Sequence, residues 1–333
     1  MPIDYLIIIL AVVAFAAQFA FTKVFEGSTK QTTATTLLML IVTNITGSLM
    51  FFFIGALGGM RLEFSWFSFT WAVILGLVMI PYYMIGIRVL SYGSLAIYSM
   101  FMMLGGMLVP FVYGLFIGES MTWGKAVGTV VLTVCIILQA VWQSAGEGGS
   151  KKKGKVIFLI LCLAVFFVNG ATGVIANIHQ SGAEAISEVH FTVISCGVTA
   201  LVSTAALLLL FIFGNKKEKK KEIASTFKKG PFLAMVAIGA AAYTGNFLIF
   251  KAASNVPASV QFPLVSGGVI VLSALVSAFI FKEKLTKKQW IGIAFGVVSV
   301  AFLCMPTQWI FSFELKDIFE LPFSYRDFIN TIK

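Results

Sequence analysis

Long apolar stretches follow one another along almost the whole chain, and no other feature restricts its fold as strongly. A helix of about 20 apolar residues crosses the hydrocarbon core of a bilayer, and these stretches are longer than a helix in a soluble core needs. Of the 333 residues, 59% are hydrophobic and 11% are charged. The charged share is about half that of a typical soluble domain. The composition therefore excludes a soluble enzyme and predicts an all-α membrane protein.

Division of the apolar stretches at their polar breaks predicts ten transmembrane helices. Their predicted bounds are 3–24, 34–57, 66–90, 94–117, 122–143, 156–178, 190–213, 231–253, 257–281 and 287–305. The remaining tail, 306–333, mixes aromatic and charged residues. That mixture is typical of an amphipathic segment that lies at the membrane interface, so we expect the tail to be interfacial.

The basic residues indicate an orientation in the membrane. The formal net charge is +10, but the basic runs at 151–155 and 216–229 lie between apolar stretches and contain only one aromatic residue, Phe227, so nucleic acid is not an expected partner. Of the 24 Lys and Arg residues, 18 follow odd-numbered spans, 3 follow even-numbered spans and 3 lie in the tail. The positive-inside rule then predicts a multi-pass cell-membrane protein with its Lys-rich loops in the cytoplasm and both termini outside.

Sequence elements of the first half recur in the second half. Glu119, Thr122 and Gly128 recur 164 residues later as Glu283, Thr286 and Gly292. Two further elements recur at slightly shorter offsets: Gly105-Gly106 matches Gly267-Gly268, and Arg88 matches Lys251. Five spans is an odd number, so a second copy would cross the membrane in the opposite sense. We therefore predict two inverted five-helix repeats, 1–145 and 156–305, joined by a Lys-rich linker at 146–155 and followed by the tail at 306–333.

These repeated elements resemble the EamA-like, ten-helix branch of the drug/metabolite transporter superfamily. The resemblance is strongest in Glu-Lys-Leu-Thr-Lys-Lys-Gln-Trp-Ile-Gly at 283–292, and its first-half partner is Glu-Ser-Met-Thr at 119–122 with Gly128. Pro263 matches a family proline, whereas the corresponding first-half position is Met100 and the proline stands at Pro110 instead. The resemblance implies a transporter, not an enzyme, that moves small organic metabolites by alternating access. Many relatives have both termini in the cytoplasm, in contrast to the orientation that the charges predict here.

Polar side chains inside the predicted spans are candidates for substrate binding. Three pairs occupy matching repeat positions: Gln18 with Asn169, Tyr83 with Asn246, and Tyr98 with Gln261. Tyr243 is also a candidate, because it lies one turn before Asn246 on the same helix face. Repeat transporters bind substrate near the midplane between their halves, so these residues would line a cavity there. Ordinary hydrogen bonds between helices are the alternative. Amide and phenol groups without a buried counter-charge favour an amino acid or another amine-bearing metabolite, and drugs, toxic cations or sugars remain alternatives.

Charged residues near the ends of the spans have a functional and a structural interpretation. Arg88 and Lys251 could attract a substrate at each mouth, or they could extend to lipid headgroups. Glu119 and Glu283 could act at a gate, although a turn role is simpler because Thr286 and Gln289 form a predicted capping box. None of the acidic residues lies in the middle of a predicted span, which argues against a proton relay through a buried carboxylate.

The expected ligands and partners follow from these patterns. His179, His190, Glu184 and Glu188 share one loop at irregular spacings, which favours an exposed loop over a metal site, and four Cys residues lie in apolar stretches. We therefore expect no metal ion and no cofactor. The expected partners are a small-molecule substrate and membrane lipids, with a homodimer left open. A non-transporting membrane receptor or a lipid-processing enzyme on the same scaffold is the alternative from another functional class.

Overall fold

A computed structural model describes residues 2–61, 63–116, 121–122, 124, 127–131, 134, 150–213, 216–253, 256, 258–303 and 312–313. The helices within these residues are α1 (Pro2–Ser28), α2 (Thr33–Leu57), α3 (Trp66–Tyr92), α4 (Leu95–Phe116), α5 (Ser150–Gln180), α6 (Glu188–Phe213), α7 (Lys216–Thr226), α8 (Lys229–Ala253), α9 (Ala258–Phe279) and α10 (Lys287–Leu303). Two short strands, β1 (Met121–Thr122) and β2 (Ser312–Phe313), pair antiparallel.

The prediction of a multi-pass helical membrane protein is confirmed. Seven of the described helices, α1 to α6 and α8, are long and apolar enough to cross a membrane. The described apolar part of α9 covers Leu264–Phe279, and α10 has 17 residues. Most of the fifth predicted span, 122–143, lies outside the described residues. The count of ten spans therefore stays a prediction.

Local chemistry explains where several helices begin. The Thr32 side chain accepts a hydrogen bond from the Thr35 backbone N–H at the start of α2, and the Thr35 hydroxyl in turn accepts one from the Thr32 N–H. Such a capping box satisfies donors that lack partners within the helix. The predicted capping box at α10 is confirmed: Thr286 N–H donates to Gln289 Oε1 over 2.7 Å, and Gln289 N–H donates to Thr286 Oγ1 over 3.3 Å.

Helix α7 and the end of the linker are two elements that the sequence patterns did not predict. Helix α7 is a short, Lys-rich surface helix that packs against α2, α6 and α8. Its low apolar content gives no membrane-span pattern, so the sequence predicts a loop at residues 216–229. Helix α5 begins at Ser150, so residues 150–155 of the predicted linker are helical. The predicted interfacial tail lies outside the described residues apart from β2.

The helices pack in a specific set of pairs. Helix α1 packs against α8 and α9, and α5 packs against α3 and α4. Helix α2 packs against α6 and α8, and α3 packs against α6. Helices α4 and α9 also pack against each other, and the largest buried cluster lies among α1, α3, α4, α5 and α9. The core is therefore built mainly from contacts between the two predicted halves.

Glycines allow the closest of these contacts. A Cβ atom on Gly105 of α4 would stand 2.2 Å from the backbone carbonyl oxygen of Phe166 in α5. On the other side of the same contact, a Cβ atom on Gly170 would stand 2.2 Å from Cβ of Val109. Close backbone approach through small residues is a common way to pack helices in a membrane. Helices α4 and α5 can reach this distance only because both positions lack a side chain.

The loops gather at the two ends of the bundle. We call the end that carries the loops after α1, α3, α6 and α9 the lysine-rich end, and the end that carries the loops after α2, α5 and α8 the opposite end. Glu222 of α7 accepts a hydrogen bond from Thr32 over 3.1 Å, which joins the loops after α6 and α1. At the opposite end, the Ser65 hydroxyl donates to the Glu184 carbonyl over 2.8 Å, which joins the loops after α2 and α5.

Candidate functional site

A pair of polar side chains lies inside the bundle where α8 meets α2. The Tyr243 hydroxyl donates a hydrogen bond to Asn44 Oδ1 over 2.9 Å. The Tyr243 ring packs flat against Gly47, where an added Cβ atom would stand 2.2 Å from the ring. Gly47 therefore makes room for the ring one turn from Asn44. The Asn44 amide nitrogen donates back to the Leu40 carbonyl over 2.9 Å, so the Asn44 side chain is held with its oxygen toward Tyr243.

Residues from α3 and α6 complete this polar site. Tyr243 also lies near the thiol of Cys196 in α6 and near the phenol of Tyr83 in α3. Cys196 is buried and free of any disulfide. Four helices thus place two phenols, one amide and one thiol close together, away from the ends of the helices.

Tyr98 of α4 extends the site toward α1. It is buried and makes an edge-on ring contact with Phe19, with 5.6 Å between ring centroids. Its hydroxyl lies against Gly86, where an added Cβ atom would stand 2.8 Å from the oxygen. Tyr83 lies near both Tyr98 and Tyr243. We call Asn44, Tyr83, Tyr98, Cys196 and Tyr243 the central cluster.

Aromatic rings surround one side of the central cluster. Phe51 of α2 makes edge-on contacts with Tyr243, Phe247 and Phe250, with centroid separations of 6.2, 6.4 and 6.1 Å. Aromatic faces attract cations such as an ammonium group, and phenol and amide groups form hydrogen bonds with it. The cluster and its rings are therefore suited chemically to a neutral or amine-bearing polar ligand.

The other predicted site residues lie in different environments. The Asn169 amide of α5 donates to the Met102 carbonyl of α4 over 2.7 Å, so it is used in a contact between two helices. Gln18 of α1 and Asn246 of α8 are half-buried, and Asn246 lies one turn after Tyr243. Gln261 is in α9, but its side chain is outside the part that the structure describes. The structure thus brings together Tyr83, Tyr98 and Tyr243 from the predicted set.

The structure also identifies two members that the prediction missed. Asn44 and Cys196 were not candidates, because the candidates were polar residues at matching repeat positions or on their helix faces. Asn44 is nevertheless an amide inside an apolar stretch, and a polar group at such a position needs a partner. A search for every amide inside a span would have found it. Cys196 carries no comparable signal, because an isolated cysteine in an apolar stretch reads as a small apolar residue.

Charged side chains connect three loops at the lysine-rich end. Glu283, in the turn before α10, accepts a hydrogen bond from the Leu95 backbone N–H at the start of α4 over 3.0 Å, and another from the Ser277 hydroxyl. Lys23 Nζ of α1 lies 3.4 Å from Glu283 Oε1 and donates to the Leu90 carbonyl over 2.9 Å. One carboxylate and one ammonium group therefore join the ends of α1, α3 and α9 to the start of α4.

The predicted mouth residues lie at opposite ends of the bundle. Arg88 belongs to the last turns of α3 at the lysine-rich end, and Lys251 to the last turn of α8 at the opposite end. Both side chains are exposed. Their roles as mouth residues stay predictions. Glu119, the predicted partner of Glu283, lies outside the described residues.

The opposite end is closed by hydrogen bonds and ring stacking, and here the expectation of an exposed histidine loop is wrong. His179 is completely buried, and its Nε2 atom forms a hydrogen bond of 2.9 Å with Ser68 Oγ. Its ring stacks on Phe191 with 3.7 Å between ring centroids. His190 is buried as well, with its Nδ1 atom 2.8 Å from Ser187 Oγ and 3.5 Å from Glu63. The loop spacing could not show that Ser68 of α3 and Glu63 of the loop before α3 approach these histidines. Within the described ranges, no group of three or more metal-ligating side chains is found.

Comparison with known proteins connects this architecture to transporters. Residues 155–305 match the model of the EamA-like transporter family, which confirms the resemblance drawn from the sequence. A solved structure titled "Crystal structure of protein" superposes with a TM-score of 0.56 at 16% identity, over 91% of this chain and 96% of its own. At that identity the likeness concerns the fold alone. The comparison with curated proteins finds no match.

Proposed function

We propose that this membrane transporter, whose residues 155–305 are EamA-like, is a secondary carrier that moves a small polar or amphipathic metabolite by alternating access. The match to the EamA-like family is the observation that carries the proposal, since members of that family are transporters and not enzymes. An amino acid or another amine-bearing metabolite is the favoured substrate class. A drug, toxic-cation or sugar exporter is the second candidate within the same class of function.

The pairing of helices supports an inverted repeat. In the predicted repeat, α1, α2, α3 and α4 correspond to α5, α6, α8 and α9. The contact of α1 with α8 then corresponds to the contact of α5 with α3. The contact of α1 with α9 corresponds in the same way to the contact of α5 with α4. Helices α2 and α6, and helices α4 and α9, face their own counterparts. A two-fold axis would generate this set of contacts. Because the loop after α1 and the loop after α5 lie at opposite ends of the bundle, such an axis would lie in the membrane plane.

Two glycine contacts support the same correspondence in atomic detail. A Cβ atom on Gly76 of α3 would stand 3.2 Å from Thr199 Oγ1 in α6, and one on Gly239 of α8 would stand 2.7 Å from the Thr43 carbonyl in α2. The glycines are 239 − 76 = 163 residues apart, which is also the offset between Tyr83 and Asn246. The matched threonines are 199 − 43 = 156 residues apart. Each half thus packs a threonine of its second helix against a glycine of the other half's third helix.

The loop contacts at the two ends supply candidate gates. At the lysine-rich end, Lys23 and Glu283 hold the ends of α1, α3 and α9 near the start of α4. At the opposite end, Ser65 and Ser68 hold the loop before α3 against the loop after α5. We propose that one set of contacts opens while the other stays formed, so that the central cluster meets one side of the membrane at a time. Two states of similar free energy are expected when the two halves are related by symmetry.

The chemistry of the central cluster supports the favoured substrate class. It offers phenol and amide hydrogen bonds and several aromatic faces, and all five of its side chains are uncharged types. An amine can bind to such faces by cation–π attraction, at about 0.5–2 kcal/mol per contact. An anionic substrate would find no cation among these five side chains.

Uptake into proteoliposomes tests the proposed function. Purified protein is reconstituted and supplied with radiolabelled amino acids, amines, sugars and cationic drugs, and liposomes without protein serve as the blank. We expect saturable accumulation of one class, with amines or amino acids first. Saturable uptake of sugars or drugs alone would favour the second candidate. Product turnover without uptake of any compound would contradict the carrier and favour an enzyme, and stoichiometric binding without uptake would favour a receptor.

A further inference from the structure

An apolar cleft lies on the flank of the bundle near its lysine-rich end. Its volume is about 310 Å³, and the lining residues come from three helices: Thr33 and Leu37 of α2, Ile80 and Met84 of α3, and Ala206, Leu209, Leu210 and Phe213 of α6. Leu209 and Phe213 are 54% and 85% exposed. The volume is at the lower limit of ordinary small-molecule pockets. Apart from Thr33, every lining side chain is apolar.

The way in which α6 crosses its neighbours explains why the cleft forms. In its first half α6 is held tightly: a Cβ on Gly76 of α3 would meet Thr199 at 3.2 Å, and the Ser48 hydroxyl of α2 donates to the Val193 carbonyl over 3.2 Å. The cleft begins one to two turns later, from Ala206 to Phe213. The lining positions follow helical spacing, 80 and 84 on α3 and 206, 209, 210 and 213 on α6, so each helix presents one face.

The matching region of the other half is filled with rings. At an offset of 163 residues, Ile80 and Met84 of α3 correspond to Tyr243 and Phe247 of α8. Those two rings pack on Phe51 of α2 and fill their side of the bundle. The cleft is therefore a local departure from the similarity of the two halves.

A small polar recess continues the cleft toward the membrane surface. It shares Thr33 and Met84 with the cleft, and its other lining residues are Gln31, Thr32, Thr36, Ile87 and Arg88. Gln31 Oε1 is buried without a hydrogen-bond partner in the described part of the chain. The Arg88 side chain is exposed, and it makes no ion pair or hydrogen bond with the side chains that the structure describes. A guanidinium group without a partner among the described side chains thus stands at the end of an apolar cleft, beside the hydroxyl groups of Thr33 and Thr36.

The surface beside the recess is strongly basic. Helix α7 has the sequence Lys-Lys-Glu-Lys-Lys-Lys-Glu-Ile-Ala-Ser-Thr and follows Phe213 of the cleft almost directly. It packs against α2, and Glu222 contacts Thr32 of the recess. Lys220 and Lys221 are exposed. A cluster of lysines next to a transmembrane helix concentrates anionic lipids at the adjacent membrane surface.

We propose that this cleft and recess bind an anionic phospholipid. One acyl chain lies between α2, α3 and α6, where it covers the exposed side chains of Leu209 and Phe213. The headgroup phosphate pairs with Arg88 and accepts hydrogen bonds from the hydroxyl groups of Thr33 and Thr36. An Arg guanidinium matches the geometry of a phosphate group, and basic pockets between transmembrane helices are suited to anionic headgroups. The site is distinct from the central cluster and does not depend on which substrate is transported.

Native mass spectrometry of the full-length protein in detergent tests this proposal. The probes are phosphatidylglycerol and phosphatidylcholine with identical chains, and glycerol 3-phosphate as the headgroup alone. Wild-type protein should bind phosphatidylglycerol about fivefold more tightly than phosphatidylcholine, the effect of roughly one favourable charge near the membrane surface. Glycerol 3-phosphate should not displace the lipid, since it has no chain to fill the cleft.

Two variants, each with a matched control, locate the lipid. Arg88→Gln should lower the preference for phosphatidylglycerol to near one, whereas Arg61→Gln, an exposed arginine at the opposite end, should keep it. Ala206→Trp should fill the cleft and weaken both lipids, whereas Ala205→Trp, the exposed neighbour outside the lining, should not. Because the two variants act on different parts of the site, one remains decisive if the other fails to fold.

Four results would overturn the proposal. They are equal binding of the two lipids by wild-type protein, an unchanged preference in Arg88→Gln, no difference between Ala206→Trp and Ala205→Trp, and displacement of the lipid by glycerol 3-phosphate. The last result would assign the recess to free phosphate instead of a lipid.

Discussion

At the scale of single residues, the account depends on the contact between Tyr243 and Asn44. The sequence pointed to Tyr83, Tyr98 and Tyr243, because they are polar residues inside predicted spans that occupy matching repeat positions or share a helix face with one that does. It did not point to Asn44, because the residue 156 positions later is Ala200 and a search for matched polar pairs therefore passed over it. Asn169 was found by that search, yet its amide binds the α4 backbone. Position in a repeat predicts where a side chain lies but not which neighbour it bonds.

Replacement of Tyr243 by phenylalanine should separate its hydrogen bond from its packing. The change removes the hydroxyl that donates to Asn44 and leaves the ring on Gly47. An unsatisfied buried acceptor costs about 1–3 kcal/mol, so the melting temperature in detergent should fall. Uptake of the transported amine should also weaken. Tyr92→Phe is the control, because Tyr92 is 51% exposed, and it should match wild type. Equal behaviour of the two variants would remove Tyr243 from the site.

At the scale of helices, the bounds were the most predictable feature. Nine of the ten predicted spans correspond to described helices whose ends differ by at most six residues, for example 34–57 against Thr33–Leu57 and 156–178 against Ser150–Gln180. Hydrocarbon thickness and polar breaks set those ends, and both can be read from the sequence. Helix α7 could not be read in the same way, since its contacts with α2 and α8 exist only in the folded bundle. The burial of His179 escaped prediction for the same reason.

The α4–α5 contact should be the packing site most sensitive to an added methyl group. In Gly105→Ala the new Cβ would meet the Phe166 backbone, which has no flexible end that can move aside. Overpacking of this kind costs about 1–3 kcal/mol, so thermal unfolding in detergent should occur several degrees lower. Gly154→Ala in α5 is the matched control, because nothing lies within 4 Å of its added Cβ. It should unfold at or slightly above the wild-type temperature, because alanine favours a helix over glycine. A larger fall in the unfolding temperature of Gly154→Ala than of Gly105→Ala would contradict this packing.

At the scale of the whole molecule, the distribution of basic residues predicts the orientation in the membrane. The contacts between helices support the predicted symmetry of the two halves. The loops after α1, α3, α6 and α9 meet at one end, which is the arrangement that an odd–even alternation of spans requires. The positive-inside rule then places that end in the cytoplasm. The sequence predicted this grouping of loops, but not the Lys23–Glu283 pair that connects them.

Cysteine labelling in intact cells should determine the orientation. Lys220→Cys at the lysine-rich end and Arg61→Cys at the opposite end place thiols at exposed positions. A membrane-impermeant maleimide added outside should label Arg61→Cys and spare Lys220→Cys until the cells are opened. The parent protein, which retains its four cysteines, is the control for background labelling; the two that the structure describes, Cys162 and Cys196, are both buried. The reverse pattern of labelling would place the Lys-rich loops outside the cell.

The most direct test of alternating access measures both ends of the bundle in one preparation. Spin labels at Lys30 and Lys284 report the lysine-rich end, and labels at Arg61 and Glu184 report the opposite end; all four positions are exposed. Double electron–electron resonance in nanodiscs then compares wild type with Glu283→Gln, which removes the charge that faces Lys23. We predict that the first distance lengthens and the second shortens in the variant. Distances that both stay unchanged, or that move in the same direction, would contradict the account.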